Sequence, residues 1–323
     1  MTARDYMQRA IELAQKGEGH TRPNPPVGAV LVKASRIIGE GYHKRAGGPH
    51  AEVAAIANAR RKHEDPRGAA LYVTLEPCSS SGLVGACTDA IIEAGIKAVV
   101  YGARDPNPKN AGRAEKVLSA AGIACNLFTD AAFFDQKGGN ELIKPFAKFV
   151  TKSIPYVTVK IAMSLDGRIC DNKGNSRWIS SEDAREATGE LREKADVILV
   201  GAETVRKDNP TLLAHGTANP DLVRAVVTRS GKLPKKSTIF TDGKNETLVY
   251  KAPDGNLASM MADLAKRGYM HVLCEGGLQL ATALAEQGFV DRWISVIAPK
   301  VIGTRPLAKA AIVPEVVLME DVL

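Results

Sequence analysis

The sequence predicts an α/β protein made of two domains in succession. Short apolar, β-branched runs alternate with segments of helical periodicity from Val27 onward, which is the rhythm of strands packed against helices. A breaker-rich stretch between residues 130 and 155 interrupts that rhythm once, and then it resumes. At 323 residues the chain is also too long for one ordinary core.

In the first half, residues 27–33 are apolar and β-rich, and residues 36–42 follow after a short turn, so the two are expected to pair as a hairpin. Residues 50–61 have helical spacing, with Val53, Ile56 and Ala57 on one face. Residues 70–75 form a strand that delivers Glu76-Pro77-Cys78, and residues 87–94 form a helix stopped by Gly95. A strand over 97–101, a helix over 111–121 stopped by Gly122 and a strand over 123–128 complete this half. Gly138-Gly139-Asn140 and Ile154-Pro155 are breakers. They place the domain boundary near Lys148, giving domains over 1–147 and 148–323.

The second half opens with a strand over 156–162. Ser180-Ser181-Glu182-Asp183 then caps a helix reaching about Lys194. Residues 196–200 form a strand ending in Gly201, and residues 201–210 are expected to be a polar loop. Strands follow over 223–228 and 247–250, then a helix over 257–267 closed by Gly268. A strand over 271–274 enters Glu275-Gly276-Gly277 and a helix over 278–286, and a strand over 290–297 closes the domain.

Composition narrows the class. The chain is 45% hydrophobic and 24% charged, as a globular protein is. It has no apolar run of the roughly 18 residues that a membrane-spanning helix needs. Residues 1–5 do not resemble a signal sequence, so the cytoplasm is the expected compartment. Net charge is +7, which suits phosphate-bearing ligands and equally a solvated basic surface. The cations are scattered and aromatics are only 5%, so nucleic-acid binding has no support beyond charge.

His50-Ala51-Glu52, followed by Pro77-Cys78 and then Cys87, carries the chemistry of the first half. One imidazole and two thiols supply three ligands for zinc, and a catalytic zinc keeps its fourth position open for water. Glu52 is not a ligand and is placed to move protons while ammonia leaves an amidine carbon. A histidine and glutamate in this spacing, followed by Pro-Cys and a second cysteine, form the zinc deaminase signature. Here eight residues, rather than two, separate the cysteines. A disulfide between them is the alternative in an oxidising compartment; the odd count of five cysteines and the upstream motif favour zinc. Cys125, Cys170 and Cys274 lie in or beside apolar stretches and are expected to be small core residues.

In the second half Gly276-Gly277, between a strand and a helix, suits either a phosphate cradle or a tight turn. The Gly-x-Gly-x-x-Gly fingerprint is absent, so a nicotinamide cofactor requires a scaffold other than the Rossmann fold. Thr204 and Asp208 are candidates for hydroxyl contacts, although local sequence alone favours Asp208 as a turn former before Asn209-Pro210.

Taken together the two halves resemble the bifunctional riboflavin-biosynthesis deaminase/reductases over nearly the whole chain. The first half matches in Asn24-Pro25-Pro26-Val27-Gly28, Gly41-Tyr42-His43, Gly48-Pro49-His50-Ala51-Glu52-Val53, Tyr72-Val73-Thr74-Leu75-Glu76-Pro77-Cys78-Ser79 and Asp105-Pro106-Asn107-Pro108. The second matches in Lys160, Ser164-Leu165-Asp166-Gly167-Arg168, Ser176-Arg177-Trp178-Ile179, Asp208-Asn209-Pro210 and Glu275-Gly276-Gly277. The resemblance implies a cytidine-deaminase-like three-layer α/β domain followed by a dihydrofolate-reductase-like α/β domain. It also implies two reactions. A 2,5-diamino-6-ribosylamino-pyrimidinone 5′-phosphate is deaminated at the ring, and its ribosyl group is then reduced to ribityl with NADPH.

By the same resemblance His50, Cys78 and Cys87 hold Zn2+, Glu52 is the proton shuttle, and Asn24 and His43 contact the pyrimidine. Ala162, Trp178, Thr204, Asp208, Ser230 and the turn from Gly277 onward correspond to cofactor contacts. Ser176, Arg192, Leu212 and Glu275 correspond to contacts with the phosphorylated substrate, and Lys160 neutralises substrate charge. A homodimer or higher homo-oligomer joined through the reductase domains is implied as well.

The chain departs from the family inside the interval between the cysteines. Where the family has a histidine and a basic residue that help bind the substrate, this chain has Ser80 and Leu83. A lost charge-assisted contact is worth about 1.5–3 kcal/mol. The family's Thr-Pro-Pro corner is replaced by Val84-Gly85-Ala86, and His215 stands where an arginine is frequent near the substrate phosphate. These changes keep open a second reading, a reductase whose deaminase domain is weak or re-targeted to another aminopyrimidine. A third, an RNA base deaminase with an accessory binding domain, is disfavoured by the reductase-like motifs and the scattered charge.

Overall fold

In a computed structural model the described residues are 1–79, 85–176, 179–215, 221–304 and the short strand at 311–312. The chain divides into two compact units after Tyr156: Met1–Tyr156 with Met261–Met270, and Val157–Met260 with His271–Leu323. Lys148, where the sequence places the boundary, lies inside a helix.

The first unit begins with α1 (Ala3–Gln15), which the strand-and-helix reading from Val27 onward leaves unassigned. Thr2 and Asp5 form a reciprocal capping box, and Met7, Ala10, Ile11 and Ala14 make its buried stripe. The hairpin of β1 (Gly28–Lys33) and β2 (Arg36–Tyr42) follows, then α2 (Ala51–Arg61), β3 (Ala70–Leu75), α3 (Cys87–Glu93), β4 (Ala98–Ala103), α4 (Arg113–Ala120) and β5 (Ala124–Leu127). Strand order is β2-β1-β3-β4-β5, antiparallel for β2-β1-β3 and parallel for β3-β4-β5.

Side-chain alternation sorts the two faces of this sheet. Leu71, Val73, Val99 and Tyr101 pack against Ala55, Ile56, Ile91 and Leu118 of α2, α3 and α4. Tyr72 and Val100 face the opposite cluster, which holds Met7, Ile11, Phe134, Leu142 and Phe146. The result is three layers.

The breaker-rich junction is helical. It contains α5 (Ala131–Gln136) and α6 (Gly139–Lys152). Gly138, with φ +80°, caps α6 instead of interrupting it. Pro145 is tolerated within α6 because Leu142, Ile143 and Phe146 are buried against the sheet, and that packing outweighs the local cost.

The second unit carries a six-stranded sheet in the order β11-β6-β10-β7-β8-β9, with β11-β6 parallel and β10-β7-β8-β9 parallel. Its elements are β6 (Tyr156–Ser164), α7 (Glu182–Glu193), β7 (Val197–Gly201), α8 (Ala202–Asp208), β8 (Val223–Thr228), α9 (Thr238–Thr241), β9 (Thr247–Lys251), β10 (His271–Cys274), α11 (Leu278–Glu286), β11 (Val290–Ala298) and the short pair β12 (Lys300–Val301) and β13 (Ala311–Ile312), while α10 (Ala258–Lys266) is divided between the units, its residues from Met261 on counting with the first. Ser181 caps α7 by accepting from the Ala184 N–H.

The stretch expected as a polar loop over 201–210 is mostly helix α8. Ala202 and Val205 are buried, and Glu203 pairs with Arg206 (3.0 Å) and Lys207 (3.7 Å) one turn on. Asn209, with φ +40°, closes the helix ahead of Pro210.

Candidate active site

The deaminase-type site sits where strand ends meet helix starts. Helix α2 lies directly on β2 because Gly41 has no side chain. A Cβ there would stand 2.3 Å from the Ala55 nitrogen and 2.6 Å from the Ala51 carbonyl oxygen. That contact fixes the first turn of α2, with His50 as its N-cap and Glu52 inside the turn. Cys78 follows β3, and Cys87 is the first residue of α3. The Cys87 N–H donates to the Cys78 sulfur at 3.4 Å and the Thr88 N–H to the Cys78 carbonyl at 3.2 Å, so the second ligand is held by the helix that presents the third.

His50, Cys78 and Cys87 converge, with their donor atoms within 4.8 Å of one another. His50 Nδ1 is 3.2 Å from Cys87 Sγ and 3.6 Å from Cys78 Sγ, and the two sulfurs are 3.4 Å apart. Tetrahedral zinc with ordinary Zn–S and Zn–N bonds sets its ligands roughly 3.5–3.8 Å apart, so this donor set fits the ion closely. Both thiols are free, at a separation far beyond a disulfide bond. The Cys87 S–H, the His50 ring and the Cys87 N–H hold the Cys78 thiol down near 4, against burial, while Cys78 and burial push Cys87 well up.

Glu52 is 3% exposed, and burial followed by the neighbouring Cys78 charge pushes its carboxyl up to about 7. His43, 2% exposed, receives the Asn24 amide at 3.2 Å on Nε2 and is 3.1 Å from the Pro49 carbonyl on Nδ1. Its ring meets that of His50 edge-on, with centroids 5.1 Å apart. Burial lowers its pKa. His50, Cys78, Cys87, Glu52, His43 and Asn24 thus come together. Ser80 and Leu83 lie outside the described residues.

One supporting residue escaped the sequence reading. Glu76, 2% exposed and two residues before Cys78, accepts the backbone N–H groups of Asp105 (3.2 Å), Gly112 (3.1 Å) and Ala114 (3.2 Å). It ties the strand end that carries a metal ligand to the 105–114 loop. The only local signal was an acidic residue immediately after an apolar strand.

In the second unit the candidate residues gather at the carboxyl ends of the parallel strands, where ligands bind in α/β sheets. Arg192 and Glu275 form a bidentate pair at 2.6 and 2.8 Å, and Arg192 also donates to the Leu213 carbonyl at 3.1 Å. Lys160 on β6 is close enough to feel both charges, and burial pushes its pKa down. The Ser176 hydroxyl donates to Asp208 at 3.2 Å, joining one expected substrate contact to one expected cofactor contact. Leu212 is buried and left-handed, with φ +54°. Ala162 lies on β6 and Thr204 on α8. Ser230 sits in the turn after β8, where its hydroxyl accepts the Lys232 N–H at 3.2 Å. His215 is 3.5 Å from Glu193, and its ring fills the space above Gly189, where a Cβ would stand 2.9 Å away. Trp178 lies outside the described residues.

The dinucleotide cradle can be tested on the glycines. A Cβ on Gly277 or Gly201 would meet nothing within 4 Å, which leaves open space above both strand ends. Gly277 is the N-cap of the nine-residue α11 and offers no side chain to its free N–H groups. That opening suits a pyrophosphate.

Comparison with known proteins gives a consistent picture. The sequence profile of the cytidine and deoxycytidylate deaminase zinc-binding region matches residues 1–103, and that of the RibD C-terminal domain matches residues 155–317. The chain is 37% identical to riboflavin biosynthesis protein RibD of Aquifex aeolicus, covering 93% of this chain and 88% of that one. It is 36% identical to the RibD protein of Escherichia coli K12, with coverage of 93% and 88%. Among solved structures, the diaminohydroxyphosphoribosylaminopyrimidine deaminase/5-amino-6-(5-phosphoribosylamino)uracil reductase of Thermotoga maritima is 39% identical with a TM-score of 0.85, covering 94% of this chain and 88% of that one. Acinetobacter baumannii RibD is 32% identical with a TM-score of 0.81, with coverage of 95% and 90%.

Proposed function

The chain belongs to the RibD family of bifunctional riboflavin-biosynthesis deaminase/reductases, and on that premise we propose how its own residues divide the two reactions. It is a zinc-dependent deaminase and an NADPH-dependent reductase acting on a phosphorylated ribosylaminopyrimidine. The observation that carries the assignment of residues is the convergence of His50, Cys78 and Cys87 beside the buried Glu52.

His50, Cys78 and Cys87 hold the zinc, which when bound supplies a Lewis acid with one position for water. Glu52 moves protons. Its enclosed carboxyl, pushed up to about 7, both accepts and gives a proton near neutral pH. It takes one from the attacking water and returns one to the amine that leaves as ammonia. Asn24 and His43 form the pyrimidine end of the site.

In the reductase half, the Gly276-Gly277 turn and the start of α11 receive NADPH, which supplies the hydride, together with Ala162, Trp178, Thr204, Asp208 and Ser230. Ser176, Arg192, Leu212 and Glu275 hold the phosphorylated substrate. Lys160 places a positive charge beside it. The Arg192–Glu275 pair keeps both side chains in one orientation before substrate arrives.

The working form is a homodimer or higher homo-oligomer in the cytoplasm. Trp293 and Ile297, 44% and 46% exposed on the edge strand β11, support a self-associating face. No helix among the described residues is long and apolar enough to cross a membrane.

The test is sequential. Zinc-loaded protein is given the diamino-pyrimidinone phosphate and ammonia is followed, and NADPH oxidation is then followed on the deaminated product. Ammonia without oxidation would remove the reductase assignment. Oxidation without ammonia would leave a reductase with a re-targeted first domain, as Ser80 and Leu83 in the sequence allow.

A further inference from the structure

We infer that His43 is a positioning residue: it fixes the Asn24 carboxamide in the one orientation that presents its oxygen, and Asn24 alone reads the aminopyrimidine. The inference rests on the deaminase reading above and divides a pair that the family resemblance treats as equivalent substrate contacts.

Both ring nitrogens of His43 are already committed. Nδ1 is 3.1 Å from the Pro49 carbonyl, which can only accept, so Nδ1 carries the proton. In a neutral imidazole Nε2 is then a bare acceptor, and the group facing it at 3.2 Å must be an N–H of the Asn24 amide. Were the amide turned over, Oδ1 would face the Nε2 lone pair. The orientation of Asn24 is therefore set by Pro49 through the ring.

The rest of the geometry holds the relay still. The His43 N–H donates to the Val27 carbonyl at 2.9 Å. The Asn24 N–H donates to the Thr21 carbonyl at 2.9 Å, and the Thr21 hydroxyl to the Asn24 carbonyl at 2.8 Å, closing a tight turn. His43 is 2% exposed and lies edge-on to His50, so it has no nitrogen and little surface left for a substrate. Asn24 is only half-buried. Its Oδ1 and its second N–H make no hydrogen bond among the described residues. An aminopyrimidine offers a donor in its exocyclic amine and an acceptor in its ring nitrogen, which one amide oxygen and one amide N–H complement.

The experiment measures ammonia release by the zinc-loaded, full-length protein for Asn24→Ala, His43→Ala, His43→Gln and the Asn24→Ala/His43→Ala double variant. One hydrogen bond between neutral groups is worth about 1 kcal/mol, or roughly fivefold. Each alanine variant is expected to raise KM by about fivefold, for one of the two amide contacts, to thirtyfold, for both, with kcat nearly unchanged. The double variant should be no worse than either single one, because both remove the same contact. His43→Gln, whose amide can donate to Pro49 and accept from Asn24, should recover most of the loss. Zinc content and NADPH oxidation should stay at wild-type levels, which separates a relay from a fault in folding or in the His50 ring.

Multiplying effects in the double variant would overturn the inference, as would a fall in kcat at unchanged KM or loss of zinc from His43→Gln. If the wild-type protein itself releases no ammonia, the deaminase reading fails and takes the inference with it.

Discussion

Replacing Glu52 with glutamine tests the proton shuttle without disturbing the metal. Glutamine keeps the shape of the side chain, which matters because the residue is 3% exposed and packed in the first turn of α2. It is not one of the three converging donors, so zinc binding should be untouched. What is lost is a carboxyl whose burial beside the Cys78 charge holds it near 7, the poise at which it exchanges protons in both directions. General acid–base catalysis of this kind contributes a factor of about 10²–10⁴, or roughly 3–5 kcal/mol of barrier. Ammonia release by Glu52→Gln should therefore fall at least a hundredfold. Zinc stoichiometry by atomic emission and NADPH oxidation on the deaminated substrate should both match wild type. A variant that releases ammonia within about tenfold of wild type would refute the shuttle, because a carboxyl worth so little is below the range expected of any positioned proton donor.

Three further perturbations test other parts of the molecule. Cys87→Ser removes one thiolate of the donor set, so the protein should emerge from dialysis without zinc and without ammonia release while still oxidising NADPH; retained zinc would mean that other groups complete the site. Gly41→Ala places a Cβ 2.3 Å from the Ala55 nitrogen, so α2 must shift, at about 1–3 kcal/mol in thermal unfolding, with the deaminase rate falling and the reductase rate holding; an unchanged deaminase would show that the close approach does not set the site. His271 bonds Thr158 at 2.9 Å and the Lys194 carbonyl at 3.2 Å, and burial holds its pKa down at about 4 against an ordinary 6.5. The folded state then binds fewer protons than the unfolded chain, so the stabilisation is complete above pH 6.5 and is lost as pH falls towards 4, by roughly 3 kcal/mol at most. His271→Gln should flatten that part of the stability–pH curve, and parallel curves for the two proteins would sink the assignment.

The metal site was legible in the sequence because its chemistry admits few residue types. Only thiols, imidazoles and carboxylates bind zinc, and His50, Cys78 and Cys87 stand at spacings that place each at a strand end or helix start. The strands were legible for a related reason, since Leu71–Tyr72–Val73 and Val99–Val100–Tyr101 must satisfy two faces with a period of two. Tertiary support was not legible. Glu76 finds its partners 29 to 38 residues away, a pairing that no local pattern announces. Gly138 and Pro145 are breakers in isolation, yet the buried face of α6 overrides them. At Gly41 the sequence shows a glycine but not the Ala55 backbone that requires it.

In both units candidate site residues stand beside the start of a helix. In the second unit β10 ends in a short turn before α11; in the first, residues 76–86 separate β3 from α3, and the first N–H groups of α3 bond Cys78. In the first unit that setting serves sulfur. The Cys87 N–H at the start of α3 points at the Cys78 sulfur, and a negative charge there is favoured by the helix start as well as by the neighbouring thiol and imidazole. In the second unit the start of α11 suits phosphate. Gly277 leaves open space at its N-cap position and supplies no side-chain cap, while a Cβ on Gly276 would stand 2.7 Å from Leu280 Cδ2. Exchanging Gly277 for a residue with a bulky side chain should accordingly weaken NADPH binding while leaving α11 folded, because open space is all that the glycine contributes.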